Sequence, residues 1–516
     1  MSSPIELSLE ADGLLLATID MPGRSMNVFS AGLMDAIEAL MDRVDAEAAV
    51  RAVVLTSGKK AFLAGADLSM VKGFTDSAQV LPEPALFDLC GRLGRLFVRL
   101  EASSKPWVAA VNGLALGGGL ELAMACRARV VVDDERAVQG LPEVRWGLLP
   151  GAGGTQRLPR LVGFEQGLSM LLTGRSIKPV EAVACGLYEA AVPADQLLDK
   201  AREVARRLAG HPFDAAEKFP HLAQMDVPVH DGETVRRLAG EHGVSDADLR
   251  DYPAYRTIID CVLLGARHPV PQASAIEMRQ FLRLMRDPVA ANMMRSLFLN
   301  RQRADRALAA PADLKIESVV VGPLSPMQSL WSQALSASRL PLTEDVSLAP
   351  DTLVLNDSRG AFHTVHVQSL GDAPRSVEPA GARAVLSPVG PYGRVLEIIS
   401  ATPAEADALA SLASRLGGAL PYRSGDAGSV LRRLASAGAI SLDAQALVAL
   451  QLLDAGAAPD AATLDVAACA AGVSPAWTGG PVTYLWRHHR QLQSGFDDRL
   501  RSNWPQWQGR VQEALA

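Results

Sequence analysis

The chain has 516 residues, 48% hydrophobic and 21% charged, with a formal net charge of −7. That length predicts about three or four domains, at roughly 100–200 residues each, every one able to bury its own core. The composition excludes global disorder and a collagen-like fibre, and the mildly acidic balance argues against broad nucleic-acid binding.

In chain order, Ile5–Leu9 and residues 14–20 flank Asp12-Gly13 and read as a hairpin. Ser30 can cap a helix whose apolar positions Leu33, Ile37, Leu40, Met41 and Val44 keep the 3.6-residue period. Val53-Val54-Leu55, Trp107–Val111 and Val130-Val131-Val132 read as buried strands. Strands separated by helices in this order argue for an α/β domain with parallel pairing. Beyond Leu208 the pattern turns helical, near residues 243–268 and 273–308. In the second of these, Met278, Phe281, Leu282, Met285 and Met293-Met294 read as ordinary packing. Ile316–Val321 resumes as a strand, 345–400 alternates turns with short apolar runs, and 403–516 is Ala-rich and mostly helical.

Five cysteines, Cys90, Cys126, Cys185, Cys261 and Cys469, lie far apart and read as buried thiols of a reducing compartment. No metal site is expected; the adjacent pair His488-His489 points apart on a helix. The start lacks signal-peptide features, and no apolar run of about 18 residues indicates a membrane span. A cytoplasmic location is expected.

Three segments carry the chemistry. They are residues 61–68, residues 112–123 with the triplet Gly117-Gly118-Gly119, and Pro142-Glu143 followed by residues 149–157. A strand ending at Val111 runs through Asn112-Gly113 into a helix starting near Gly118. Unpaired N–H groups at such a start suit an oxygen that becomes negative during reaction. Glu121 falls one turn inside that helix, and Glu143 sits on a Pro-ordered turn. Taken singly, Glu121 reads equally well as a charge complementing the helix dipole, and Glu143 as a solvated loop carboxylate. Together they are the ingredients for proton transfer at carbon beside a carbonyl.

The three segments in order resemble the crotonase (enoyl-CoA hydratase/isomerase) superfamily over about residues 5–205. Its signatures stand here as Ala64-Gly65-Ala66-Asp67, residues 112–123, Pro142-Glu143 and residues 150–157. The resemblance implies a spiral of ββα turns, with acyl-CoA held between residues 64–68 and the helix at Gly118. It also implies an oxyanion hole from the backbone N–H groups of Ala66 and Gly118. Glu121 and Glu143 would be the catalytic pair, Glu121 activating water and Glu143 delivering a proton to Cα. Ala64, Gly65, Asp67, Leu68, Gly117 and Gly119 would bind CoA or the substrate. Lys59 and Lys60 lie near the expected CoA groove, and residues 69–86, with Pro82 and Pro84, would line the acyl pocket.

The later chain resembles, more loosely, the dehydrogenase half of multifunctional β-oxidation enzymes. The resemblance starts at the strand and turn of residues 315–327 and returns at Gly479-Gly480-Pro481 and Tyr484. The fingerprint is broken: Gly322 is followed by Leu324 and Met327 where glycines belong. The family's histidine falls at Ala384 and its asparagine at Ser387, leaving only Glu397. The stretch 316–399 is short for that domain, so strands and the ribose-reading acidic residue are expected to be missing.

The expected layout is a crotonase-type hydratase domain over 1–208 and a helical linker over 209–312. A truncated Rossmann-like domain over 313–400 and a mostly helical domain over 401–516 follow. The expected activity is hydration of a 2-enoyl-CoA, with Δ3–Δ2 isomerisation or a non-catalytic CoA-binding scaffold as alternatives. Coenzyme A enters only as part of the substrate, NAD binding is not expected, and no nucleic acid or membrane partner is implied. A homo-oligomer or association with another β-oxidation enzyme fits the resemblance.

Overall fold

The computed structural model describes residues 3–221, 227–325, 328–372, 379–390, 392–425 and 428–515. The chain divides into two compact units, Met1–Ala291 and Asn292–Ala516, fewer than the three or four that length suggests. The helices expected as a linker do not stand apart: residues 209–291 pack with the first unit and 292–312 with the second.

The first unit is built on a six-stranded sheet. Strands β1 (Ile5–Leu9) and β2 (Leu14–Ile19) form the expected antiparallel hairpin. From β2 the sheet continues in parallel through β3 (Ala52–Ser57), β4 (Trp107–Val111), β6 (Ala128–Val132) and β9 (Ala190–Val192). Every residue of β3, β4 and β6 is buried, as continuous Val/Ala/Leu runs covered on both faces require. Helix α1 (Ala31–Ala46) starts at Ser30, whose side chain accepts from the Leu33 amide, and it buries Leu33, Ile37, Leu40, Met41 and Val44. Helices α2 (Leu68–Ala78), α3 (Glu83–Cys90) and α4 (Arg92–Glu101) lie between β3 and β4. A small second sheet joins β5 (Ala115–Leu116), β7 (Gln139–Gly140) and β8 (Ser176–Ile177). Helix α5 (Gly118–Ala125) follows β5, and α6 (Gly154–Val162) and α7 (Phe164–Thr173) follow β7. The unit closes with α8 (Pro179–Ala184), α9 (Leu197–Leu208), α10 (Ala215–Lys218), α11 (Gly232–Glu241), α12 (Asp246–Asp251), α13 (Pro253–Gly265) and α14 (Val270–Arg286).

The second unit carries a seven-stranded mixed sheet. In chain order its strands are β10 (Ile316–Val321), β11 (Leu342–Glu344), β12 (Thr352–Asp357), β13 (Phe362–Ser369), β14 (Arg383–Leu386), β15 (Val395–Ile399) and β16 (Leu420–Ser424). The pairs β10/β12, β12/β13 and β14/β15 are antiparallel, unlike a doubly wound dinucleotide fold. The expected boundary at residue 400 is corrected, because β16 pairs with β15 inside the same sheet. Met327, one of the two fingerprint positions, lies outside the described residues.

The surviving Glu397 is fully buried and does structural work. Its carboxylate accepts from Ser429 Oγ at 2.5 Å and the Val430 amide at 2.6 Å, capping the helix Val430–Gly438. Buried Asp465 caps the helix Pro481–Leu492 in the same way, through the Val482 and Thr483 amides and Thr483 Oγ. His488 stacks on Tyr484, and His489 stacks between Trp486 and Trp504. Among the described residues no group of His, Cys, Asp and Glu could hold a metal ion, and no helix is long and apolar enough to cross a membrane.

Candidate active site

Two loops leave the carboxyl ends of neighbouring strands and are sewn together by side-chain amides. Asn112, just after β4, donates through Nδ2 to Ser57 O at 3.1 Å and Lys59 O at 2.7 Å, beyond the end of β3. Fully buried Asn27 accepts the Met21 amide and donates to Ile19 O and Ser57 Oγ, while its own carbonyl takes the Ala64 amide. The chain from Phe62 to Asp67 then runs beside residues 114–116 on one side and Phe29 on the other. This pairing consumes the amides of Phe62, Leu63, Ala64 and Asp67. Among the described residues, the Ala66 amide donates to no protein acceptor, and neither does that of Gly118 at the first turn of α5. Both residues line one apolar cavity of about 110 Å3, together with Glu121 and Glu143.

Gly117 makes this convergence sterically allowed. Its φ of 51° with ψ of −127° is open only to glycine, and its amide is tied to Gly140 O at 2.9 Å. A Cβ there would lie 2.6 Å from Glu143 Oε1. Glu143 rides on the tight turn Pro142–Trp146, placed beside Gly117 because β7 pairs with β5. Tyr252, at the start of α13, accepts the Gly147 amide at 2.7 Å and donates to Val144 O, pinning this turn.

The two carboxyl groups have different surroundings. Glu121 is 2% exposed, and its Oε1 accepts the Ala152 and Gly154 amides, each at 2.8 Å. Burial pushes its ionisation upward, while those amides and the charge of Arg157 favour the ionised form. Glu143 Oε2 is buried with no hydrogen-bond partner among the described residues. Burial first, then the charges of Glu121 and Glu277, hold the Glu143 carboxyl well above the ordinary range.

Sequence reasoning missed a third buried carboxylate. Glu277 of α14 is 1% exposed, and its Oε1 accepts the Gly153 amide at 2.6 Å. Its Oε2 accepts the Thr155 amide at 2.9 Å and Thr155 Oγ. The signal was legible, since Glu277 sits on the same helical stripe as Ala273 and Phe281, where a lone acid is out of place. Phe281 also lines the cavity, so this helix is more than the packing face expected of it. Below the loop, Glu101 pairs with Arg157 at 3.2 Å and with Lys218, all three side chains no more than 7% exposed.

The remaining expected contacts fall out differently. Ala64, Gly65, Asp67, Gly117 and Gly119 do not line the cavity, and Asp67 is held by Arg24 at 2.7 Å. Gly119 instead allows α5 to pack on the Leu63 carbonyl. Leu68 begins α2, but its side chain lies outside the described residues. Lys59 is engaged by Asp20 at 2.5 Å. From the expected acyl-pocket segment, Met70, Val71 and Phe74 line the cavity, whereas Pro82 and Pro84 do not.

The description Enoyl-CoA hydratase/isomerase belongs to the family model that matches residues 11–239. The fatty acid oxidation complex subunit alpha of Shewanella amazonensis is 37% identical over 299 residues, covering 58% of this chain and 41% of that protein. The same subunit of Idiomarina loihiensis is 36% identical over 295 residues, covering 57% and 40%. The chain thus spans about two fifths of the length of these relatives. Among solved structures, an enoyl-CoA hydratase from Bacillus anthracis is 24% identical with a TM-score of 0.36, over 59% of this chain and 96% of that one. A probable enoyl-CoA hydratase/isomerase from Mycobacterium abscessus is 26% identical with a TM-score of 0.36, over 47% and 89%. Residues 11–239, somewhat less than half of the chain, are thus similar to the enoyl-CoA hydratase/isomerase family.

Proposed function

We propose that the first unit is an enoyl-CoA hydratase, adding water syn across the 2,3 double bond of a 2-enoyl-CoA to give a 3-hydroxyacyl-CoA. The observation that carries this reading is the meeting of two uncommitted amides and two carboxyl groups on one apolar cavity. Attack of water at Cβ pushes electrons through Cα onto the thioester oxygen. The Ala66 and Gly118 amides would receive that oxygen, each contributing about 3–4 kcal/mol in a water-excluded site. The N-terminus of α5 adds a favourable dipole.

The proton assignment follows from the surroundings of the two acids. Glu121 has amide donors that favour its ionised form, so it orients water and takes a proton. Glu143, with a partnerless buried oxygen and two acidic neighbours, favours the protonated form and delivers a proton to Cα. The OH of water adds at Cβ and the proton of Glu143 at Cα on the same face, and return of the proton taken by Glu121 to Glu143 restores the pair. Met70, Val71, Phe74 and Phe281 suit a hydrocarbon acyl group.

The second unit contributes no dehydrogenase chemistry in this account. The turn after β10 disfavours NAD in this reading, because Leu324 stands where the fingerprint needs a glycine and its side chain obstructs a close approach of pyrophosphate to the backbone. Ala384 is fully buried in β14 and cannot accept a proton from a 3-hydroxyl.

A screen of 2-enoyl-CoAs of different length and shape, with product mass analysis, tests the proposal. The expected result is 3-hydroxyacyl-CoA from at least one of them and no NADH when that product is offered with NAD. Conversion of 3-enoyl-CoA alone would instead assign isomerisation, the same glutamates moving a proton between Cα and Cγ.

A further inference from the structure

The loop between the active-site turn and α6 distributes its amides in strict alternation. Ala152 and Gly154 donate to Glu121, whereas Gly153 and Thr155 donate to Glu277. Gly153, with φ of 101°, adopts the left-handed conformation in the middle of this run. The loop therefore cannot tilt toward one carboxylate without losing the other. Glu277 lies beyond the segment matching the family, on a helix that packs against α6. A buried acid in an otherwise apolar stripe is unfavourable unless its oxygens are satisfied, and here both are.

Building on the hydratase reading, we propose that Glu277 is a positioning residue: it fixes Gly153 and Thr155 so that the Ala152 and Gly154 amides stay on Glu121 Oε1. With Oε1 held, Glu121 presents its other oxygen to water in one orientation. A carboxylate released from its two amides would rotate and would ionise less readily, so the chemical step suffers before substrate binding does. The titratable and charged groups facing Glu277 are Glu121 on α5, Glu143, Arg160 on α6 and Cys261 on α13.

The test uses the full chain carrying E277A, E277D or T155V, with circular dichroism to normalise for folded protein. In E277A, kcat should fall by about 100-fold while KM changes by no more than about threefold. E277D, which keeps both oxygens, should recover part of the loss, and T155V should lose about tenfold. Unchanged kcat per folded molecule in E277A, or in T155V should E277A fail to fold, would overturn the proposal. Infrared titration of the Glu121 carboxyl band, assigned with E121Q, separates this idea from the hydratase reading. The Glu121 band should titrate at higher pH in T155V, which keeps the charge of Glu277, than in the unsubstituted protein, whether or not any enoyl-CoA turns over. An unmoved band contradicts positioning even in an active enzyme, and a moved band in a protein without hydratase activity retains positioning while removing that reading.

Discussion

Glu121 and Glu277 come from helices about 150 residues apart in sequence and grip alternate amides of one loop. The arrangement satisfies two buried acids with a single stretch of backbone. It also makes the charge of one acid felt by the other, and it ties helix α14 to the candidate chemistry.

One consequence is a pH-dependent stability. Burial, then the charge of Glu121, holds Glu277 up at about 8, above its ordinary value of 4.5. A carboxyl raised on folding binds its proton more tightly in the native state, so its stabilisation is complete below 4.5 and is lost as pH rises through 8. Thermal melts of the unsubstituted protein and E277Q should therefore change in relative order or spacing, the unsubstituted protein losing ground between about pH 5 and 9. Parallel Tm–pH curves would contradict this.

The two proton carriers differ in what a neutral isostere removes. E121Q keeps an oxygen for the Ala152 and Gly154 amides but cannot take a proton, and E143Q cannot give one. Each should lower kcat by about 10²–10⁴-fold with the fold intact. Steady-state rates on an accepted enoyl-CoA check this, with far-ultraviolet circular dichroism as the control.

Gly117 offers a steric test. G117A places a methyl 2.6 Å from Glu143 Oε1 at a backbone conformation that an L-residue rarely adopts. Strain of about 1–3 kcal/mol is expected, together with displacement of Glu143 and a loss of activity. Chemical denaturation and activity measured side by side should both fall.

Beneath the loop, Glu101 neutralises two buried cations. Its carboxylate meets Arg157 and Lys218, and burial pulls the Lys218 ammonium down to about 8. E101Q leaves both cations without a counter-charge, and the loss should be about 3–5 kcal/mol. Arg157 also donates to Ala152 O, so the variant should loosen the loop that holds Glu121. Urea unfolding measures the first effect, and the rate on an accepted substrate measures the second.

The parts of this site that are local in sequence were legible there. The glycine triplet, Glu121 and the Pro142-Glu143 turn each sit in a short segment that its own residues mark, whereas the Ala66 loop was legible only through the resemblance, being shaped by Asn27, Phe29 and residues 114–116. Asn27, Tyr252 and Glu277 were not found, because each acts across a long sequence separation through a single polar side chain. Of these, only Glu277 left a mark, an acid on a helical apolar stripe. In the second unit the apolar runs marked strands, but pairing direction depends on connections. The hairpin between β12 and β13 turns at Gly360, with φ of 78°, and Asp357 accepts the Arg359 and Ala361 amides there. Residues 356–360, Asn-Asp-Ser-Arg-Gly, carry that turn in plain sight.

The most direct measurement is loss of the enoyl-thioester absorbance with the unsubstituted protein and E143Q in parallel. The account predicts steady consumption of at least one 2-enoyl-CoA, formation of its 3-hydroxyacyl-CoA, and near-complete loss of that rate in E143Q. Equal rates in the two proteins, or no consumption of any chain length by the unsubstituted one, would contradict it.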